Sequence, residues 1–372
     1  MERIRDEEQD VYSDDSLFNI RPWGADLSFR ELIQRYDDDE LVKPELQRNY
    51  VWDRVEASRF VDSLLLGLPV PSIFLAQTPD EKLLLIDGYQ RLLSVRDYVR
   101  GIFSRDGKSF SLSRTEKINA RWRGKAFGEL SDAEQRRIKN TTIHAIIFAQ
   151  QKEPQVEDTS LFQVFERINT SGRTLLAQEI RNCVAQGALN DLLFDLNGNE
   201  NWRVLFGSAE ADSRMRDMEQ ILRFFALGSD DMRNANREKL SLRQFLDQYM
   251  AKHAKIDGVE ARVWAQRFEK VVEKCFEWFG ESAFHNLSKT GTHRYTQKFS
   301  PTIFDSVAIA TEHALNNGVL CPDGDPVAAR NLLLQDHEYI EAITKETMRK
   351  SSINLRISKA CAYLFNIEYE QR

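Results

Sequence analysis

Cysteine is scarce and scattered in this 372-residue chain: the four, Cys183, Cys275, Cys321 and Cys361, contain no C-x-x-C pair. That spacing excludes a zinc ribbon and a disulfide framework and suits a reducing compartment. No run of about 18 apolar residues is present to cross a membrane as a helix. The N-terminus is acidic rather than signal-like. The expectation is a soluble, cytoplasmic protein without a membrane partner, and no internal repeat or low-complexity block stands out.

Three familiar chemical motifs are missing too. Gly101 and Gly107-Lys108-Ser109 imitate a phosphate-binding P-loop, but five residues separate the glycines, one more than the motif allows. The segment also follows a helix rather than a strand, so it reads as a surface turn. His337-Glu338-Tyr339-Ile340-Glu341 lacks the second histidine of a zinc-protease helix. His285-Asn286 and His293 fall in a stretch read as helical and rich in turn formers, a poor match to the ββα unit of an HNH nuclease.

The chain is longer than one usual core, so two packed units are expected. The net charge of -7 is unevenly spread: residues 1–17 hold seven Asp/Glu against Arg3 and Arg5, and read as a disordered acidic tail. Residues 91–140 hold thirteen Lys/Arg against six Asp/Glu. Such a stretch either meets a polyanion or forms solvated helix faces.

Ser28 and Glu31 make a capping box for a helix over Phe29 to Tyr36, and the acidic run Asp37 to Glu40 reads as a solvated loop. Asp53 and Glu56 cap a second helix whose buried stripe is Phe60, Val61, Leu64, Leu65 and Leu68, with Gly67 and Pro69 as stop signals. Strands are expected at Val70 to Ala76 and Leu83 to Ile86, with a turn at Thr78-Pro79-Asp80, and a further strand at Thr142 to Phe148. Helices follow at Ser160 to Ile168 and over LLAQEIRNCV, joined by the loop NTSGRT. From about Asn201 onward the pattern reads as helical throughout, with stripes such as Met218, Ile221, Leu222, Phe225 and Trp264, Phe268, Val272, Cys275, Phe279. Mixed α and β in the first half and helix in the second make the fold class α+β.

The most informative stretch is LLLIDGYQRLLSV, residues 83–95: a short apolar strand, Asp87-Gly88, then an amphipathic helix. A glycine at such a corner permits a tight turn, and a helix start aims backbone N–H groups at an anion such as a phosphate. PELQRNYVW (44–52) and FERINTSGRTLLAQEIRN (165–182) likewise set Arg beside Gln or Asn and aromatic or turn residues. Arginine forks match phosphate geometry, amides can read a base or ribose edge, and Tyr50 or Trp52 can stack on a base.

In order and spacing these three segments resemble the N-terminal domain of GmrSD-type restriction endonucleases, over roughly residues 18–195. That family runs P-x-x-Q-R-x-Y-V-W, a helix ending G-x-P-x-P, a strand, D-G-Q-Q-R, then F-x-R-I-N-T-G-G and L-x-x-Q-E-I-R-N. This chain departs from it at Tyr89, where the family has its first Gln, and at Ser171, where a Gly is usual. The resemblance implies a ParB/sulfiredoxin-like α/β domain at 18–195 followed by a mostly α-helical domain at 196–372. It also implies a role in defence against phage or modified DNA, in proteins that couple nucleoside triphosphate hydrolysis to DNA cleavage.

On that basis Asp87, Gln90 and Arg91 are the candidate catalytic residues, Asp87 binding Mg2+ or polarising the attacking water. Gly88 and Arg91 would hold the phosphates of an NTP of unspecified base, and Gln47, Arg48, Tyr50, Arg167, Asn169, Thr170 and Ser171 complete the pocket. DNA is the expected partner, with a separate nuclease subunit or self-association. Two alternatives stand beside this reading: a non-catalytic sensor of modified DNA using the 91–140 region, and a stand-alone Mg2+-dependent nickase using the same motif.

Overall fold

The computed structural model describes residues 15–42, 52–78, 81–150, 158–168, 176–288 and 294–369. Residues 1–14 of the expected tail, Gln47, Arg48, Tyr50, Pro79-Asp80, Asn169, Thr170, Ser171 and His293 lie outside the described residues. The chain enters through a 3₁₀ turn at Asp15–Asn19, which takes in the last three residues of the stretch read as tail.

The first half alternates strands and helices. β1 (Ile20–Ser28), α1 (Phe29–Asp37), β2 (Leu41–Val42), α2 (Arg54–Leu66), β3 (Ile73–Gln77), β4 (Leu83–Asp87) and α3 (Tyr89–Arg100) are followed by the hairpin β5 (Ile102–Phe103) and β6 (Lys108–Ser109), then α4 (Asp132–Asn140) and β7 (Thr142–Gln150). Five strands form one mixed sheet in the order β1-β7-β3-β4-β2. β7 pairs antiparallel with β1 along its whole length and parallel with β3, while β4 runs antiparallel to β3 and parallel to β2.

Local sequence explains the helix boundaries. Asp53 accepts from the N–H groups of Val55 and Glu56, both at 2.8 Å, while the Glu56 carboxylate takes the Asp53 N–H, a complete capping box. Gly67 ends α2 at φ 76. Ser28 caps α1, but Glu31 turns to Arg35 instead of back to the cap, so half of the expected box forms. Leu68, expected in the buried stripe, is exposed because it lies beyond the Gly67 terminus and no longer follows the helical period. Asp37, expected in a solvated loop, instead accepts from Arg96 and Arg100 of α3.

The second half comprises α5 (Ser160–Ile168), α6 (Ala177–Val184), α7 (Ala188–Asn197), α8 (Glu200–Phe206), α9 (Arg216–Leu227), α10 (Asp230–Arg233), α11 (Leu242–His253) and α12 (Gly258–Phe279), the hairpin β8 (His285–Leu287) and β9 (Tyr295–Phe299), then α13 (Pro301–Asn316), α14 (Pro326–Leu333), α15 (His337–Thr344) and α16 (Lys350–Phe365). The hairpin interrupts what reads as continuous helix and includes His285-Asn286, which are therefore strand residues. Its strands are too short for a period of two to stand out from the helical stripes around them.

Two apolar cores flank the sheet. Ile73, Leu75, Leu85, Ile143, Ala145 and Ile147 face α1 to α4, whereas Ala76, Leu84 and Ile86 join a core that begins with Phe162 and Phe165 of α5 and continues to α16. Covering on both faces explains why β4 reads as an unbroken apolar run. The second core thus starts at α5, ahead of the 195/196 boundary read from the sequence. The GIFSRDGKS segment forms β5, its turn and β6, consistent with a surface turn in place of a phosphate cradle.

Charge is also buried in the helical core. Asp305 accepts from Arg223 at 2.6 Å and from Arg356 at 2.9 Å, and all three side chains are fully enclosed. Removing one partner of such a group strands the others without solvent. Asp305→Leu is expected to lower stability by about 3–5 kcal/mol, read as a lowered urea midpoint; a midpoint unchanged from the parent would contradict it.

Candidate functional site

The DGYQR corner is built by strand irregularity and a glycine. Phe74 pairs with Asp87 but Leu75 pairs with Leu85, so Ile86 is an extra residue on β4 and a bulge precedes Asp87. Bulges re-aim the side chains that follow them. Gly88 then takes φ 117 as the residue before α3, and a Cβ there would lie 2.3 Å from Ile73 Cγ2. Only glycine supplies both the dihedral and the clearance. As the N-cap residue, Gly88 brings no side chain of its own to cap the helix.

Around this corner the candidate side chains divide their tasks. Asp87 is half exposed and passes Oδ2 to Arg91, while Oδ1 makes no hydrogen bond or ion pair among the described residues. Arg91, nearly buried, donates Nη1 to the carbonyls of Pro71 and Ser72 at 2.7 and 3.0 Å and Nη2 to Asp87. It thereby clips the chain before β3 to the end of β4, using the planar fork that lysine lacks. Gln90 accepts from the Trp52 N–H at 3.1 Å, joining the end of the first segment to the second. The Trp52 ring itself packs edge-on against Phe60 at 5.8 Å, so it is held in the core side of the junction.

Tyr89, the departure from the D-G-Q-Q-R pattern, points into the first core beside Tyr36. Burial, and then the Tyr36 hydroxyl, push its own hydroxyl far above the ordinary phenol range, so it stays neutral. Asp87 is the exposed side chain of the corner, Gly88 is buried against Ile73, and Tyr89 packs into the core.

The third segment splits in two. Arg167, in the last turn of α5, is exposed and makes no hydrogen bond or ion pair among the described residues. Beyond the loop, the Q-E-I-R-N portion is interior: Gln178, Glu179, Arg181 and Asn182 are all buried. Arg181 donates Nε to Asp247 at 2.7 Å and Nη1 to Glu219 at 3.0 Å, reaching α11 and α9. Glu179 accepts from Arg214, and Glu166 of α5 pairs with Arg243 of α11 at 2.7 Å. Asn182 accepts from Gln178 at 2.7 Å. These residues tie α5 and α6 to α9, α11 and Arg214, a role that the motif spelling alone does not reveal.

The basic stretch is partly spent within the fold: Arg96 and Arg100 hold Asp37, Arg121 holds Glu134, and Arg123 donates to the Ile118 carbonyl. Among the described residues no group of three or more His, Cys, Asp or Glu gathers to hold a metal ion. A single carboxylate such as Asp87 is compatible with Mg2+ that completes its shell from water and substrate phosphates.

Two consequences can be measured. Gly88→Ala must strain the backbone or displace Ile73, and is expected to cost about 1–3 kcal/mol as a lower thermal midpoint; an unshifted midpoint would show that the corner relaxes freely. Arg181→Leu leaves the buried Asp247 and the half-buried Glu219 without their shared cation, a loss of about 3–5 kcal/mol. Chemical denaturation should place it well below an Arg167→Ala control, and equal stability of the two would refute the buried tie.

No curated protein and no solved structure matches this chain. Residues 29–185 match the family described as GmrSD restriction endonuclease, N-terminal domain, a span that runs from the start of α1 to the end of α6 and contains the DGYQR corner and the Arg181 tie. Residues 29–185 are thus a segment of the GmrSD restriction endonuclease N-terminal domain type, within a longer chain.

Proposed function

We propose that this chain is the nucleotide-binding and nucleotide-hydrolysing component of an anti-phage or modification-dependent DNA restriction system. The matched domain supports the coarser statement, that it is a component of a restriction endonuclease system. The observation that carries the finer one is the corner at Asp87-Gly88. A helix start with glycine at its N-cap stands directly behind a bulged strand end, with the exposed Asp87 carboxylate beside it. Backbone N–H groups and the positive end of the helix dipole favour phosphate there, in a position where a side chain larger than hydrogen cannot intrude.

In this reading Gly88 and the first turn of α3 receive the phosphates, and the free Asp87 Oδ1 holds Mg2+ or orients the attacking water. Mg2+, when bound, neutralises charge developing on the transferred phosphoryl group. Arg91 acts as a positioning residue, since its donors are committed to Asp87 and the 71–72 carbonyls. Arg167 supplies an uncommitted cation at the end of α5, and Gln47, Arg48, Tyr50, Asn169, Thr170 and Ser171 are the further candidate ligand contacts that the family resemblance implies. DNA cleavage then falls to a nuclease partner.

Phosphate release from each NTP, with Mg2+ and with or without DNA, tests this. Asp87→Ala is expected to lower the rate at least tenfold, and Arg91→Lys to lower it while keeping the charge, because the fork is lost. Equal background release from all three proteins would remove the triphosphatase reading, and plasmid nicking without nucleotide would assign the corner to a phosphodiester instead.

A further inference from the structure

A cavity of about 430 Å³ opens in the helical half, between α10, the 234–241 connection and α11, and includes none of the DGYQR residues. Its volume is in the range of small-ligand pockets, roughly 300–1,000 Å³. The walls are unusual in being rich in amides: Asn234, Asn236, Gln244 and Gln248 all line it. Each amide offers one acceptor and two donors, the complement of the mixed edges of a nucleobase.

Aromatic and cationic groups complete the set. Phe245 and Tyr249 lie four residues apart, on one face of α11, and both line the cavity. Phe245 is half-buried, whereas Tyr249 is buried against His253 and Trp264, at 4.4 and 6.1 Å between ring centroids. A half-buried ring on a cavity wall offers a face on which a base can stack. The acid in the lining, Asp231, is already taken by Lys252 at 2.5 Å and by His253 at 3.3 Å, so it does not confront an incoming anion alone. Arg237, exposed at the lining, makes no hydrogen bond or ion pair among the described residues and can meet a phosphate.

We infer that this cavity binds a single nucleotide, its base against Phe245 among the amides and its phosphate at Arg237. The same chemistry is presented by a free mononucleotide and by one unpaired nucleotide of DNA. The opposite side of the wall helix is fastened elsewhere: Arg243 holds Glu166 and Asp247 holds Arg181. The cavity therefore has a rigid back wall, and its ligand meets side chains whose backbone is fixed by the ion pairs to α5 and α6.

The test uses the full chain in an Asp87→Ala background, so that loss of binding at the DGYQR corner and loss at this cavity are distinguishable. Deoxynucleoside monophosphates, the matching nucleosides, and a duplex carrying one unpaired base are titrated by calorimetry, with hydrogen exchange followed along residues 231–252. Protection of that segment is expected, with Arg237→Ala weakening nucleotide at least tenfold while leaving nucleoside unchanged, and Gln248→Ala weakening both. Both substitutions lie on exposed or half-buried positions, and circular dichroism verifies that each variant folds. Protection by free nucleotides alone or by the duplex alone identifies the source. No protection of 231–252 by either, or affinities equal to the parent in both variants, overturns the assignment.

Discussion

A guanidinium taken out of water has to meet its counter-charges inside the protein, and at Arg181 this requirement ties the end of the family-matched segment to later helices. The residue is enclosed, and its partners Asp247 and Glu219 belong to α11 and α9, far along the chain. The cost of desolvating the charge is offset only while all three groups stay in place. The family-matched segment therefore ends inside the helical half rather than beside it. Glu179 with Arg214 and Glu166 with Arg243 add two further ion pairs, so α5 and α6 are each tied to later parts of the chain.

This anchoring gives the DGYQR corner its setting. β4 carries Leu84 and Ile86 into the core that α5 enters through Phe162 and Phe165, while Leu85 serves the core on the other face. The corner stands at the end of a strand packed on both sides, where the backbone cannot drift. Arg91 adds a second restraint by holding the 71–72 carbonyls and Asp87 together. Preorganisation of this kind is what a phosphate site requires, because the groups facing the ligand need not be ordered at the moment of binding.

Much of the local architecture was legible in the residues. The Asp53 capping box, Gly67 at the end of α2, the apolar strand before Asp87 and the span of α5 follow from spacing and turn chemistry, and the structure has them where expected. The departures have two causes. Leu68 is exposed for a local reason, because α2 ends at Leu66 and Gly67 turns the chain out of the helical period. Asp37 is paired because α3 brings Arg96 and Arg100 to it, and β8 forms because His285 pairs with Phe299; these two depend on what lies across space, which a window of neighbouring residues does not contain.

By itself the sequence determined the strand, the glycine corner and the helix behind it, since a positive φ, an apolar run and a 3.6-residue period are properties of adjacent residues. It also determined the family of residues 29–185. Only the tertiary structure decided what the arginines do. Arg91 clips two carbonyls and a carboxylate, Arg181 is buried with its partners on α9 and α11, and Arg167 and Arg237 make no hydrogen bond or ion pair among the described residues. All four carry the same charge on the same flexible stem; the carboxylates and carbonyls that the fold delivers to each guanidinium separate a structural tie from a group able to meet a phosphate.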